Sequence, residues 1–318
     1  MRRNKQNKDH RRKSRVRNSV HNTKKAVRKL VAPQSLSLQK NPESTLHYFK
    51  MVIDTIEKTP MNGLVFFDLS NIETVTVDAI MYLIATLKNI KRITTLRIRC
   101  HGNVPLNANA REVFESCGFY KYVKANIPVK NTIGDNIKIT RGKDANPYFA
   151  GDICDFVCRH NDWSIIKTKS LYRMIIELMT NTTQHAYNKT SIMDSNWYVF
   201  AENTDSYISF IFLDTGEGIP NTIRTKGLLE KIKSTLGIND ALFVSSALRG
   251  ELRSATKLEY RGKGLPEIYN RAKSKYITDF SVTSGHAKCM VNENDEIVET
   301  NYSDELIGTM LSWKLNKD

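Results

Sequence analysis

The chain has 318 residues, 40% hydrophobic and 25% charged, with a formal net charge of +15. That length and apolar content suit two domains of ordinary size with a sizeable core. There is no signal-type apolar segment and no run of about 18 apolar residues, which argues against a membrane span and points to a soluble, cytoplasmic protein. The charge is concentrated at one end. Residues 1–30 hold 13 Lys/Arg against one acid, Asp9, so they carry +12 and leave the rest at +3. Residues 1–40 read as a basic tail, disordered alone because it has few large apolar groups to offset the entropy of ordering. Such a tail acts as a solubilising arm or as an electrostatic arm for nucleic acid or an acidic surface. It has no Phe, Trp or Tyr to stack on bases, which argues against sequence-specific recognition.

A first folded unit is expected over residues 41–128. Helical spacing covers Thr45–Lys58, and GLVFFDL at Gly63–Leu69 reads as a buried strand. DAIMYLIATL at Asp78–Leu87 reads as a helix covering that strand, and TLRIRC at Thr95–Cys100 alternates like another strand. Ala108–Cys117 reads as a helix stopped by Gly118. This alternation implies an α/β layer. The run VFFDLSNIETVTVDAIMYLIATL, the polar loop Gly102–Asn107 and the closing ESCGFYKYV resemble, distantly, a STAS domain, the fold of bacterial anti-sigma antagonists. In antagonist members a phosphorylatable serine follows the aspartate at the helix start. Here Ala79 follows Asp78, so the resemblance implies a docking module without that phosphoswitch and a protein partner for it.

Residues 129–150 read as a linker, and a second unit as residues 151–318. Helices are expected at Gly151–Arg159 and Ser170–Tyr187, and strands at Trp197–Ala201, Tyr207–Leu213, Phe280–Thr283 and Thr309–Leu315. Short loops between paired strands call for a mixed or antiparallel sheet. The five cysteines, an odd number, fit a reducing compartment. Cys154 and Cys158 lie near Asp152, Asp155 and His160, but the ligand pattern is incomplete, and packed thiols are expected.

Two segments of this unit belong together. ELMTNTTQHAY at Glu177–Tyr187 puts Glu177, Asn181 and His185 on one helix face. DTGEGIP at Asp214–Pro220 sets an acid and two glycines, Gly216 and Gly218, at the end of an apolar strand. A third segment, RGKGLPEI at Arg261–Ile268, opens a helix with Arg261, Gly262, Lys263 and Gly264, a pattern suited to phosphate. A carboxylate, an amide and an imidazole facing glycine-rich turns make a nucleotide pocket.

These motifs, in this order and with Gly308-Thr309 before the last strand, resemble the GHKL ATPase superfamily of gyrases, Hsp-type chaperones, mismatch-repair ATPases, histidine kinases and anti-sigma kinases. The resemblance implies a Bergerat-type α/β sandwich with a mixed sheet, binding ATP and Mg²⁺. By it, Asn181 is the Mg²⁺ ligand and Glu177 the general base. His185 sits one turn beyond Asn181, in reach of phosphate. The resemblance also implies that Asp214 accepts a hydrogen bond from the adenine amino group, supported by Thr309. Gly216 and Gly218 give the backbone close approach and positive φ. Residues 219–260 correspond to the family's mobile lid, whose Arg224, Lys226, Lys231, Lys233, Arg249 and Arg253 are candidates for the γ-phosphate. The expected function is a regulatory ATPase acting on a partner through the STAS-like unit. The alternatives are an anti-sigma-type Ser/Thr protein kinase and a nucleic-acid-binding protein switched by ATP.

Overall fold

The computed structural model describes residues 27–123, 136–184, 191–225, 239–251, 264–273 and 276–317. The first unit comprises β1 (Val27–Val31), β2 (Ser35–Leu36), α1 (Pro42–Glu57), β3 (Leu64–Asp68), β4 (Thr74–Val75), α2 (Val77–Asn89), α3 (Lys91–Thr95), β5 (Arg99–Gly102) and α4 (Ala108–Ser116). Strands β1, β3 and β5 form a parallel sheet in that order, and β2 pairs with β4. Pro42 begins α1, where its missing N–H costs nothing, and the Asn107 side chain caps α4 by accepting from the Ala110 N–H at 3.0 Å.

Residues 27–40, expected to be tail, are folded. Arg28 and Lys29 hide the strand within the basic run, but Leu30 and Ala32 enter the core and Lys29 pairs with Asp68 at 2.6 Å. The strand expected at Thr95–Cys100 starts later, at Arg99, because Lys91–Thr95 first makes a helical turn.

The second unit adds β6 (Asn136–Gly142), α5 (Pro147–His160), α6 (Ile165–Gln184), β7 (Trp197–Asn203), β8 (Tyr207–Asp214), α7 (Ile219–Thr225), α8 (Asp240–Arg249), α9 (Gly264–Ala272), β9 (Ile277–Val291) and β10 (Ile297–Asn316). Its sheet has the order β6-β7-β8-β10-β9. Every described pairing in it is antiparallel, which corrects the mixed sheet. Strands β8 and β9 do run the same way, but β10 lies between them and opposes both. Strand β6 falls within the expected linker. No described helix is long and apolar enough to cross a membrane.

The sheet is buried on both faces, and the period-2 alternation of strands decides which side chain goes where. Trp197, Val199, Phe210, Phe212, Leu311 and Trp313 join the core under the helices. Their neighbours Tyr198, Phe200, Ile211, Leu213, Leu306 and Met310 share a second core with α2, α1 and β3 of the first unit. The first unit thus shares a core with one face of this sheet. The middle of β10 is tied to α1 as well: Asp304 accepts from Lys50 Nζ at 2.6 Å and bonds His47 Nδ1 at 2.9 Å.

This shared core predicts one unfolding transition. The chain's tryptophans, Trp163, Trp197 and Trp313, all lie in the second unit, so their fluorescence should coincide with the far-ultraviolet signal of the whole chain in a urea titration. Phe200→Ala, at the interface, should move both midpoints down together, by about 3–5 kcal/mol of stability. Two separated transitions in the parent chain would show independent domains.

Candidate functional site

Asp214 ends β8 at the centre of a complete rung across the second sheet. The register aligns Gly142, Trp197, Asp214, Thr309 and Ser284 on β6, β7, β8, β10 and β9. This rung sets the upper end of the sheet, and helix α6 reaches the same end. Just beyond β6, the Asn146 N–H points at Met179 Sδ of α6 at 3.4 Å, and the Asp144 carbonyl accepts from the Trp197 indole at 2.9 Å. Glu177 and Asn181, one turn apart on α6, are both half-buried and flank Leu178 and Met179, which are core.

The loop after β8 is shaped by glycine. Gly218 has φ +78°, and a Cβ there would sit 2.8 Å from both the Gly308 carbonyl and Ser284 Oγ. Gly308 has φ +102°, and its Cβ would come within 2.0 Å of the Asp214 carbonyl oxygen. Both positions exclude a side chain on space and on backbone conformation. Gly216 differs from expectation. Its φ is not positive; it serves instead through its N–H, which donates to Asp214 Oδ1 at 2.6 Å. Thr309 lies opposite Asp214, but its hydroxyl bonds Ser284 Oγ at 3.1 Å and not the carboxylate. Ser284 also donates to the Gly308 carbonyl at 2.7 Å and accepts from the Ile219 N–H at 2.9 Å. It is the clasp of the loop, and no motif announces it.

Electrostatics separate the carboxylates. Burial pushes the Asp214 carboxyl up to about 6, against the lowering effect of the Gly216 N–H. Glu177 is raised by burial and then by the negative charge of Glu267 on α9, the helix opened by Gly264. That charge interaction brings the helix after the third motif against the first. Among the described residues Asp214 accepts one hydrogen bond, although a carboxylate offers about four acceptor positions.

Thr215, next to Asp214, belongs to a buried polar network that joins the two units. Asn89, at the end of α2 and fully buried, donates from Nδ2 to Thr215 Oγ1 at 3.0 Å. Asn89 Oδ1 accepts from Arg141 at 2.9 Å, Tyr198 at 3.2 Å and Asn196 at 3.3 Å. Thr215 Oγ1 donates to the Asp194 carbonyl at 2.7 Å and accepts from the Asn196 N–H at 3.0 Å. The Asn89 carbonyl accepts from the Asp194 N–H at 2.8 Å, and Ile90 bridges to Met193. The first unit therefore grips the Asp214 loop directly.

Of the basic lid candidates, Arg224 is committed elsewhere. It pairs with the buried Asp240 and lies 5.2 Å from the Phe243 ring centroid, clipping α7 to α8. Arg249 lies 4.0 Å from Glu251. His185, Arg261, Gly262 and Lys263, with Lys226, Lys231, Lys233 and Arg253, lie outside the described residues. Cys154 and Cys158 are free thiols, and no group of three metal-capable residues occurs among the described residues. The start of α2 is also closed. Asp78 and Ala79 are buried, and Asp78 accepts from the Ala79 N–H at 2.6 Å.

No protein-family model matches this chain, and no curated protein matches it.

Two outcomes test this geometry. Because the folded carboxyl of Asp214 titrates above its ordinary value, its ionised form destabilises the fold above about pH 6, and stability returns as pH falls from 6 toward 4. Asp214→Asn keeps an acceptor for Gly216 and removes the charge. It should raise stability near pH 8 by on the order of 1–3 kcal/mol and leave little gain near pH 4; urea titrations at both pH values check this. Asn89→Ala should cost about 2–4 kcal/mol, because it strands buried partners, and Thr215→Val about 1–2. A double-mutant cycle should return a coupling of at least about 0.5 kcal/mol.

Proposed function

We propose that the second unit is an ATP-binding domain of the GHKL type, Mg²⁺-dependent and regulatory, with the STAS-like first unit fixed to it. The observation that carries this reading is Asp214: a carboxylate that accepts one hydrogen bond among the described residues, at a glycine-shaped strand end, on the same end of the sheet as Glu177 and Asn181. An adenine amino group is the donor that completes it, while guanine would oppose it with a carbonyl. The residues fit the group: Asp214 and the Gly216–Gly218 turn would take the base, and Asn181 would hold Mg²⁺ through its amide oxygen. Bound Mg²⁺ neutralises phosphate charge during transfer. Glu177, its carboxyl raised by burial and by Glu267, is a stronger base than a solvated glutamate and would serve as general base.

The first unit bears on the partner. Its α2 face covers the chain's own sheet, so an external protein would meet another surface or the basic tail. Loop closure coupled to a partner is the output that fits this arrangement.

Isothermal titration of the full chain with ATP, ADP and GTP, with and without Mg²⁺, tests the reading. ATP and ADP should bind and GTP should not. Asp214→Asn should weaken ATP by about 10- to 100-fold, the worth of a hydrogen bond to a charged group. Glu177→Ala should keep binding and lose turnover. With labelled ATP, release of free phosphate supports hydrolysis, and label on protein supports kinase chemistry. Equal behaviour of the two variants would remove the role given to Glu177.

A further inference from the structure

The first sheet has two unlike faces. Strands β1, β3 and β5 pair in register, so residues two apart share a side. Leu30, Val65 and Phe67 enter the shared core, and Cys100 packs against it. The alternate residues do not. They form two rungs, Val27–Leu64–Arg99 and Lys29–Phe66–His101. Leu64 and Phe66 are half-buried yet belong to neither apolar core. Arg99 and His101 are exposed, and Val27 is 57% exposed.

This outer face is positive. Asp68 is the one acid in the three strands, and Lys29 pairs with it at 2.6 Å. The side chains of Arg99 and His101 make no hydrogen bond or ion pair among the described residues. Residues 1–26, which lead into Val27, hold 11 Lys/Arg and one acid. Their charge is therefore attached at the rung that carries Arg99. That segment lacks Phe, Trp and Tyr, and the sheet supplies the ring it lacks. Phe66 lies on the middle strand, with His101 about 5 Å away on the next strand and Arg99 about 8 Å away by backbone spacing. An open sheet face with a central aromatic ring, an imidazole and a guanidinium is suited to bases that stack and phosphates that carry charge. The other occupants fit less well. A second copy, or the chain's own basic segment, would set like charges together. A bilayer calls for protruding large apolar groups, whereas Leu64 and Phe66 are recessed between their neighbours.

We propose that the outer face of the first sheet binds single-stranded nucleic acid. A base stacks on Phe66 with the His101 ring beside it. Arg99 and the basic residues before β1 take the phosphates. Ring faces and phosphates are common to all sequences, so sequence preference is small. This surface does not depend on the nucleotide reading, and it would exist in a chain that binds no ATP.

The test uses the full chain without nucleotide. It follows the fluorescence anisotropy of labelled RNA and DNA strands of about 12 nucleotides and one mixed sequence, beside the same sequence as a duplex. At about 150 mM salt at least one single strand should bind at least about fivefold tighter than the duplex, whose bases hide their faces in the stack. Phe66→Leu keeps apolar volume and removes the ring. It should weaken the single strand by about 5- to 100-fold and leave duplex binding, which rests on the tail, unchanged. Arg99→Gln should lower the slope of log affinity against log salt for the single strand by about 0.7. His101→Ala should weaken the single strand by about threefold or more. Arg99 and His101 are exposed, so these two variants keep the fold and decide the matter if Phe66→Leu lowers stability. Equal binding of single strand and duplex, with no loss in any of the three variants, leaves all binding to the tail and overturns the site. Binding of anionic lipid vesicles with neither single strand bound also overturns it.

Discussion

Asn89 sits where a polar side chain is least comfortable, fully buried at the end of a mostly apolar helix. An amide left unpaired there would cost about 1–3 kcal/mol for each stranded group. It is paired at both ends of the side chain and at its carbonyl, with partners on β6, on β7 and its approach, and in the loop after β8. Apolar contact between the two units would tolerate sliding, since hydrophobic burial is non-directional. Hydrogen bonds do not tolerate it. The amide therefore fixes the register of α2 on the sheet, and through Thr215 it fixes the backbone that presents Asp214.

The second constraint is the sheet's two-sided burial. A strand with one wet face alternates apolar and polar residues, and a one-residue slip then exposes its core side chains. Strand β7 opens with WYVFA and β8 carries FIFL just before Asp214, runs without a polar alternation, so alternation alone does not protect their register. Specific partners on each face do. Trp197 stacks on Phe149 and sends its indole N–H to Asp144, while Tyr198 sends its hydroxyl to Asn89. Two adjacent aromatic residues thus lock the strand from opposite sides.

Most of the local structure was legible because it rests on nearest-neighbour chemistry. The apolar periodicity of α2 and α6, the run ending at Asp214 and the glycines after it all declare themselves within a dozen residues. What was not legible depends on distant residues. Strand β1 hides in a basic run because its stabilising partner, Asp68, lies 39 positions on from Lys29. Strand β6 looked like linker because its pairing with β7 is bulged and its Gly142 matters only against the Trp197 ring. Asn89, Thr215 and Ser284 are ordinary letters in sequence, and only the rung and the network give them a role. The one faint signal was an asparagine closing a helix that is apolar on nearly every side.

Asp214 shows why a site can be told from a core in physical terms. A fold selected only for stability would replace a carboxylate held well above its usual titration range, or would surround it with donors, as happens at Asp68. There Lys29, Ser70 and Asn103 all point at the carboxylate and hold it well below the usual carboxylate range. Both aspartates end a strand near the top of a sheet, so position does not distinguish them. Supply of donors does. Asp68 is saturated by its own chain and is structural. Among the described residues Asp214 receives one donor, the Gly216 N–H, beside Gly218 and Gly308, where a side chain would clash, and its carboxyl is held above its usual range. That contrast, a carboxylate short of donors beside a hydrogen-bonded Thr215, is what the proposed adenine contact rests on.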